Sequence, residues 1–303
     1  MLTNKSGQFK YYSFDSSAIR FMMISAFLST AISISSSTVF AQNTYDPWLS
    51  YRSLALDDLK IALAQTDQRL ETLRVEVARS EKLVRSGASS QAELMELSGE
   101  LQIKIAERED LDGLIRWMDY LMKVSTLNSV TDETEYFEKL TGLLKPRVTH
   151  AKAVTGLSEK RYAMKAKLRE RRAISIEEFE RATDELEESR LRQLLYQAQY
   201  LSAQYALEVR QDKRAYDENA ALVLAKSVTD ARIRLWEGIL NSISHRLSRL
   251  EALRERGIVA QAEIDAIRES EKTIRLALEN ARKATPDPHP APGKLKRLQS
   301  QNI

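Results

Sequence analysis

Cysteine is missing from this 303-residue chain, which excludes disulfide scaffolds, thiolate metal sites and cysteine nucleophiles. Glycine is scarce: 9 residues in 303 is about 3%, less than half the usual ~7%. Sandwiches, barrels and doubly wound nucleotide folds place glycine in many turns, and this chain has too little for them. Neither charge sign dominates, with 46 Lys and Arg interleaved among 43 Asp and Glu for a net charge of +3. A nucleic-acid binder carries a strong basic excess, so no nucleic-acid partner is expected. No P-loop, GxGxxG, GxSxG or HExxH string is present, and with it goes the usual phosphate, nucleophile-elbow and zincin chemistry. His150, His245 and His289 stand apart from one another and read as exposed helix or tail histidines. No catalytic residue, cofactor or metal is expected, and the chain does not read as an enzyme.

The first forty residues look like an address. Lys5, Lys10 and Arg20 precede an uncharged stretch from Phe21 to Ala41, which ends in Val39-Phe40-Ala41. A basic region, an apolar region and small residues at −3 and −1 predict a secretory signal peptide over 1–41, cleaved after Ala41. The alternative is an uncleaved anchor, because about 20 apolar residues span a bilayer. Six serines among residues 25–37 dilute that stretch and favour cleavage. The expected compartment is the bacterial periplasm, with any membrane contact indirect.

Of the 6 prolines, four (Pro286, Pro288, Pro290 and Pro292) crowd the C-terminus. Proline lacks the amide donor and restricts the residue before it, so residues 286–303 are expected to form a disordered, Pro-rich, basic tail. Between Trp48 and Lys283 the only proline is Pro146, and the text reads as helix almost throughout.

An internal repeat organises that helical text. The segments Arg79-Ser-Glu-Lys-Leu-Val-Arg-Ser-Gly-Ala-Ser-Ser-Gln-Ala-Glu-Leu, Met164-Lys-Ala-Lys-Leu-Arg-Glu-Arg-Arg-Ala-Ile-Ser-Ile-Glu-Glu-Phe and Arg249-Leu-Glu-Ala-Leu-Arg-Glu-Arg-Gly-Ile-Val-Ala-Gln-Ala-Glu-Ile align without gaps. Leu83, Leu168 and Leu253 recur at an offset of about 85 residues, as do Glu93, Glu178 and Glu263. Three units are expected, over 42–131, 132–216 and 217–285. Each block reads as the turn of a helical hairpin: Gly87 and Gly257 occupy the left-handed C′ position, where Arg172 is a poorer fit. Ser90-x-x-Glu93 and Ser175-x-x-Glu178 are capping boxes, and Ala260 has lost the cap hydroxyl.

The arms carry apolar residues at heptad spacing. Leu56, Leu59, Leu63, Leu70, Leu73 and Val77 precede the first turn, with Thr66 the one polar member. Leu94, Leu97, Leu101, Leu111, Ile115, Met118 and Met122 follow it. A seam of period 3.5 predicts left-handed helix pairs rather than a thick core. The middle arm is small and polar at Ala151, Thr155 and Ser158, so it either packs closely or is weak. Trp48, Trp117 and Trp236 fall at or near the seams and read as core. The fold class expected is all-α: three tandem antiparallel coiled-coil-like hairpins with no β domain.

The turn pattern Arg-x3-Leu-x6-Ser resembles the hairpin-tip signature of periplasmic adaptor (membrane fusion) proteins of tripartite efflux and type I secretion systems. Arg79, Leu83 and Ser90 match it fully; Leu168 with Ser175, and Arg249 with Leu253, match it in part. Residues 173–186, Ala-Ile-Ser-Ile-Glu-Glu-Phe-Glu-Arg-Ala-Thr-Asp-Glu-Leu, are similar to helical repeats of outer-membrane efflux channels. The resemblance implies tips that dock on an envelope protein such as an outer-membrane channel. It also implies an assembly in which two copies, a homodimer, present six tips. A divergent or truncated outer-membrane efflux channel component is the alternative. Both families carry β-structure, for which no segment of this chain is suited, and neither is threefold.

Overall fold

A computed structural model describes residues 56–127, 132–289 and 292, and among them the regular structure is entirely α-helical. Residues 1–41, expected to be a signal peptide, Trp48 and most of the residues expected to form the tail lie outside the described residues. Six helices follow in order: α1 Leu56–Arg85, α2 Gln91–Leu127, α3 Glu133–Glu170, α4 Ile176–Arg210, α5 Glu218–Glu255 and α6 Gln261–Lys283. No helix among the described residues is long and apolar enough to cross a membrane.

Each helix packs chiefly on its neighbours in sequence, and the α3–α4 contact is the most extensive. Cross-helix ion pairs give the directions. Arg69 meets Glu100 and Arg108 meets Asp67 between α1 and α2, while Arg161 meets Glu96 and Arg147 meets Asp110 between α2 and α3. As position advances along one helix its partner recedes along the next, Arg69 to Glu100 against Asp67 to Arg108 and Glu96 to Arg161 against Asp110 to Arg147, so these neighbours run antiparallel. The turns 86–90, 171–175 and 256–260 therefore share one end of the array, here the tip end. The turn 211–217 lies at the opposite, base end.

The burial pattern departs from a set of narrow seams. Leu59, Thr66, Leu70 and Leu73 are buried on α1 as the heptads predict. On α2 the buried hydrophobic residues are Ala106, Leu114, Trp117, Met118 and Tyr120, of which only Met118 lies on the expected heptad, while Met122 is exposed. The reason is that α2 lies between α1 and α3 and needs two apolar flanks, whereas a coiled-coil seam has one. Leu59, Leu114, Trp117, Phe137, Leu143, Leu144 and Ala206 join one core drawn from four helices. Trp117 is buried there as expected of a core residue, and Trp236 on α5 is half-buried.

The small residues of α3 resolve into close packing. Ala151, Thr155 and Ser158 are buried, and short side chains let helix axes approach. Gly99 on α2 serves the same purpose, because a Cβ there would collide with the Leu157 side chain of α3. Pro146 sits inside α3 and can donate no bond to the Gly142 carbonyl. That carbonyl faces Gly113 of α2, where a Cβ would stand 3.3 Å from it.

Two buried clusters correct the reading of the histidines. Arg147 and His150 both reach Asp110, at 3.0 and 3.3 Å, with Arg147 and Asp110 almost fully buried. Burial pushes the Asp110 carboxyl up, but Arg147 and His150 outweigh it and leave the group below its ordinary value. His289 is neither exposed nor part of a disordered tail. Residues 284–289 run non-helically from the end of α6 and bring its ring edge-on to Phe137, 5.0 Å between centroids. His289 is 7% exposed, and burial, reinforced by the Arg210 charge, lowers its pKa to about 3. Arg210 lies 4.2 Å over the same Phe137 ring and bonds Glu133 at 3.0 Å. A segment expected to be disordered from residue 286 is, through 289, a strap across the base. Only His245 is exposed as expected.

Candidate functional site at the hairpin tips

The tips are built from one backbone device used three times. In each, the amide two residues beyond the helix-capping residue bonds back to the leucine carbonyl. Ala88 bonds Leu83 at 2.8 Å, Ala173 bonds Leu168 at 2.8 Å and Ile258 bonds Leu253 at 3.0 Å. The preceding amides of Gly87, Arg172 and Gly257 close the inner bond to Val84, Arg169 and Arg254. These are Schellman motifs, which require a left-handed residue at C′. Gly87 has φ 75°, Arg172 φ 56° and Gly257 φ 73°. A non-glycine residue there brings Cβ close to the following carbonyl and costs about 1–2 kcal/mol. Asp212 (φ 54°) makes the same turn at the base end.

Re-entry into the following helix differs among the tips. Ser175 makes the full capping box: its hydroxyl accepts from the Glu178 amide at 3.1 Å, and Glu178 accepts from the Ser175 amide at 3.2 Å. The Ser90 hydroxyl likewise accepts from the Glu93 amide at 3.1 Å. Glu93, however, takes the Ser89 hydroxyl at 2.6 Å, so the first box is made on one side by a neighbour the pattern did not count. Ala260 makes no side-chain cap.

Seven residues were singled out here. Arg79, Leu83, Ser90 and Ser175 are exposed, while Leu168, Leu253 and Arg249 are half-buried. The leucines do not gather into one patch by themselves; each belongs to its own turn. Arg249 bonds Glu180 of α4 at 2.7 Å and so braces the third tip against the second, much as Arg161 braces α3 against Glu96 of α2 at 2.8 Å. Both pairs are partly exposed, and pairs of that kind contribute about 0–1 kcal/mol. Residues outside the motif complete the surface. Ile176 is 56% exposed and Ile258 66% exposed, both beside a turn, with Lys167, Arg171, Arg172, Arg254 and Arg256 exposed around them. The apolar pair escaped the sequence reading because neither residue falls on the Arg-Leu-Ser pattern.

Comparison with family models, curated proteins and solved structures finds no match to this chain.

Proposed function

We propose that this chain is an exported, non-enzymatic interaction protein of the cell envelope, built as three tandem antiparallel hairpins whose tips dock on a partner. The recurrence of helix ends at Arg85, Glu170 and Glu255, and of left-handed residues at 87, 172 and 257, supports reading the helices as an 85-residue repeat. The observation that carries the docking role is apolar exposure beside the turns. Leu83, Ile176 and Ile258 remain uncovered there, and the turns' backbone bonds do not need their side chains; other apolar residues, Ile61 and Val223 among them, are exposed elsewhere on the helices. The nearest functional analogy is the adaptor hairpin of efflux or type I secretion machines, with an outer-membrane channel as the partner and a dimer supplying six tips.

Leu83→Asp combined with Leu168→Asp tests this reading. Partner capture from envelope extracts falls to background while helicity by circular dichroism stays near wild type. Ile258→Asp, at the more exposed position, weakens capture with no change in helicity. Unchanged capture in both variants means the tips are only turns. Fractionation separates a releasable scaffold from a channel component, which would stay with outer membranes.

A further inference from the structure

Beneath the strap lies a cavity of about 50 Å³ between α3, α4 and α5. One water needs about 10–15 Å³ on such a measure, so the space suits a molecule of a few heavy atoms. Leu140, Leu144 and Ala203 form an apolar wall, and residues 284–289 supply the roof. Two charged side chains in the lining have no ion-pair partner. Gln199 also borders the cavity and is 8% exposed, but its unpaired Oε1 is occluded and does not face the open space. Arg232 reaches the cavity from α5, and burial lowers its pKa with no acid acting against that. Among the described residues no carboxylate stands within ion-pair distance of it. Asp287 lines the same cavity from the more exposed strap, and burial raises its pKa, again with no basic partner opposing. Polar groups withdrawn from water are ordinarily satisfied, so the partly buried Arg232 calls for an explanation; Asp287 is exposed and faces it from the rim.

We propose that this cavity binds a small zwitterion of amino-acid size, its carboxylate on Arg232 and its ammonium on Asp287. The lining holds a cation and an anion with no ion pair between them. A simple anion answers Arg232 but leaves Asp287 unmatched; a simple cation does the reverse. A molecule carrying both charges answers both. Since the strap provides both Asp287 and the roof, occupancy also pins the C-terminal segment to the helices. The site is independent of the hairpin tips.

Thermal unfolding of the full chain with glycine, L-alanine, acetate or methylamine, at matched concentration and ionic strength, tests the proposal. Ligand that binds only the folded state raises the midpoint, and above its Kd the rise continues with the logarithm of ligand concentration. Glycine and L-alanine are expected to do so, and acetate and methylamine are not. Arg232→Met abolishes the shift, and Asp287→Asn, near the surface and harmless to the fold, weakens apparent affinity at least about tenfold. Three outcomes overturn the site: no shift with any probe, meaning water alone; an equal response to acetate, untouched by Asp287→Asn, meaning a plain anion site; or a glycine shift that survives both substitutions, meaning a solvent effect.

Discussion

At the base, Trp117 is 1% exposed and Phe137 1% exposed, ringed by Tyr120, Tyr136 and His289. At the tips, Ile258 and Ile176 stand in solvent beside turns closed by backbone hydrogen bonds. The base is held chiefly by contacts between residues far apart in sequence: α2, α3, α4 and the strap meet there around Trp117 and Phe137. The tip turns are closed by contacts within about ten residues, with Arg249–Glu180 a partly exposed bridge between two of them. A region held by local bonds can tolerate change on its outer surface without loss of fold, which is what a docking surface requires. A region held by a shared aromatic core cannot.

The largest expected effect separates the two ends outright. Trp117→Ala empties the centre of the base core and lowers stability by about 3–5 kcal/mol, read by urea denaturation. Ile258→Asp at a tip changes stability by less than about 0.5 kcal/mol, the range of ordinary surface substitutions. A tip variant as damaging as the core variant would collapse the distinction.

The same contrast explains what the sequence could and could not reveal. Gly87, Gly257, Ser175 and Glu178 announce their turns because each acts on its own backbone a few residues away. The left-handed conformation of Arg172 followed from alignment with two glycines. Trp117 read as core, but a core shared with Phe137 and two further helices did not, because heptad counting assigns each helix one partner and α2 to α5 have two. His289 sits in a Pro-rich string that reads as tail, and nothing in that string names Phe137, about 150 residues earlier, as its contact. The cavity groups Gln199, Arg232 and Asp287 carry no local pattern at all; only the packing of three helices and the strap collects them.

The second effect is a pH response confined to the base. His289 binds its proton only near pH 3 when docked, against about 6.5 in an unfolded chain. Between those values the undocked form holds more protons, so docking is favoured fully above about pH 6.5 and weakens as pH falls toward 3. Limited proteolysis should show the strap becoming cleavable over that window while the tip turns keep their protection. His289→Phe, which keeps a ring against Phe137 but cannot be protonated, removes the response. A strap released equally in the variant would place the pH dependence on another group.

A third effect lies within the tips. Arg172→Gly relieves the left-handed strain at the second turn and raises stability by about 1 kcal/mol. Gly87→Ala imposes that strain on the first turn and lowers stability by a similar amount. Denaturation midpoints moving in opposite directions would establish that the turns are local, separable units. Equal effects of one sign would mean that these positions act through tertiary contacts instead.

The smallest effect concerns the third tip, the only one that enters its second helix uncapped. Ala260 has φ −75° and ψ 146°, already the extended conformation of a cap residue, and its side chain makes no hydrogen bond. Glu263, like Glu178, lies three residues on. The Glu263 amide now donates to the Ala260 carbonyl at 3.2 Å; in Ala260→Ser the hydroxyl takes that amide over, and the Glu263 carboxylate turns back to the residue 260 amide, which completes the box made at Ser175. A serine cap in place of alanine contributes about 0.5–1 kcal/mol. Because α6 is the shortest helix, at 23 residues, and packs only on α5 to any extent, the gain should appear first as slower amide exchange over its first turn. Global stability then rises less than that local change. Exchange unchanged at residues 261–264 would show that the third turn is held by its neighbours, and that the tip end is less local in its bonding than its three shared turns imply.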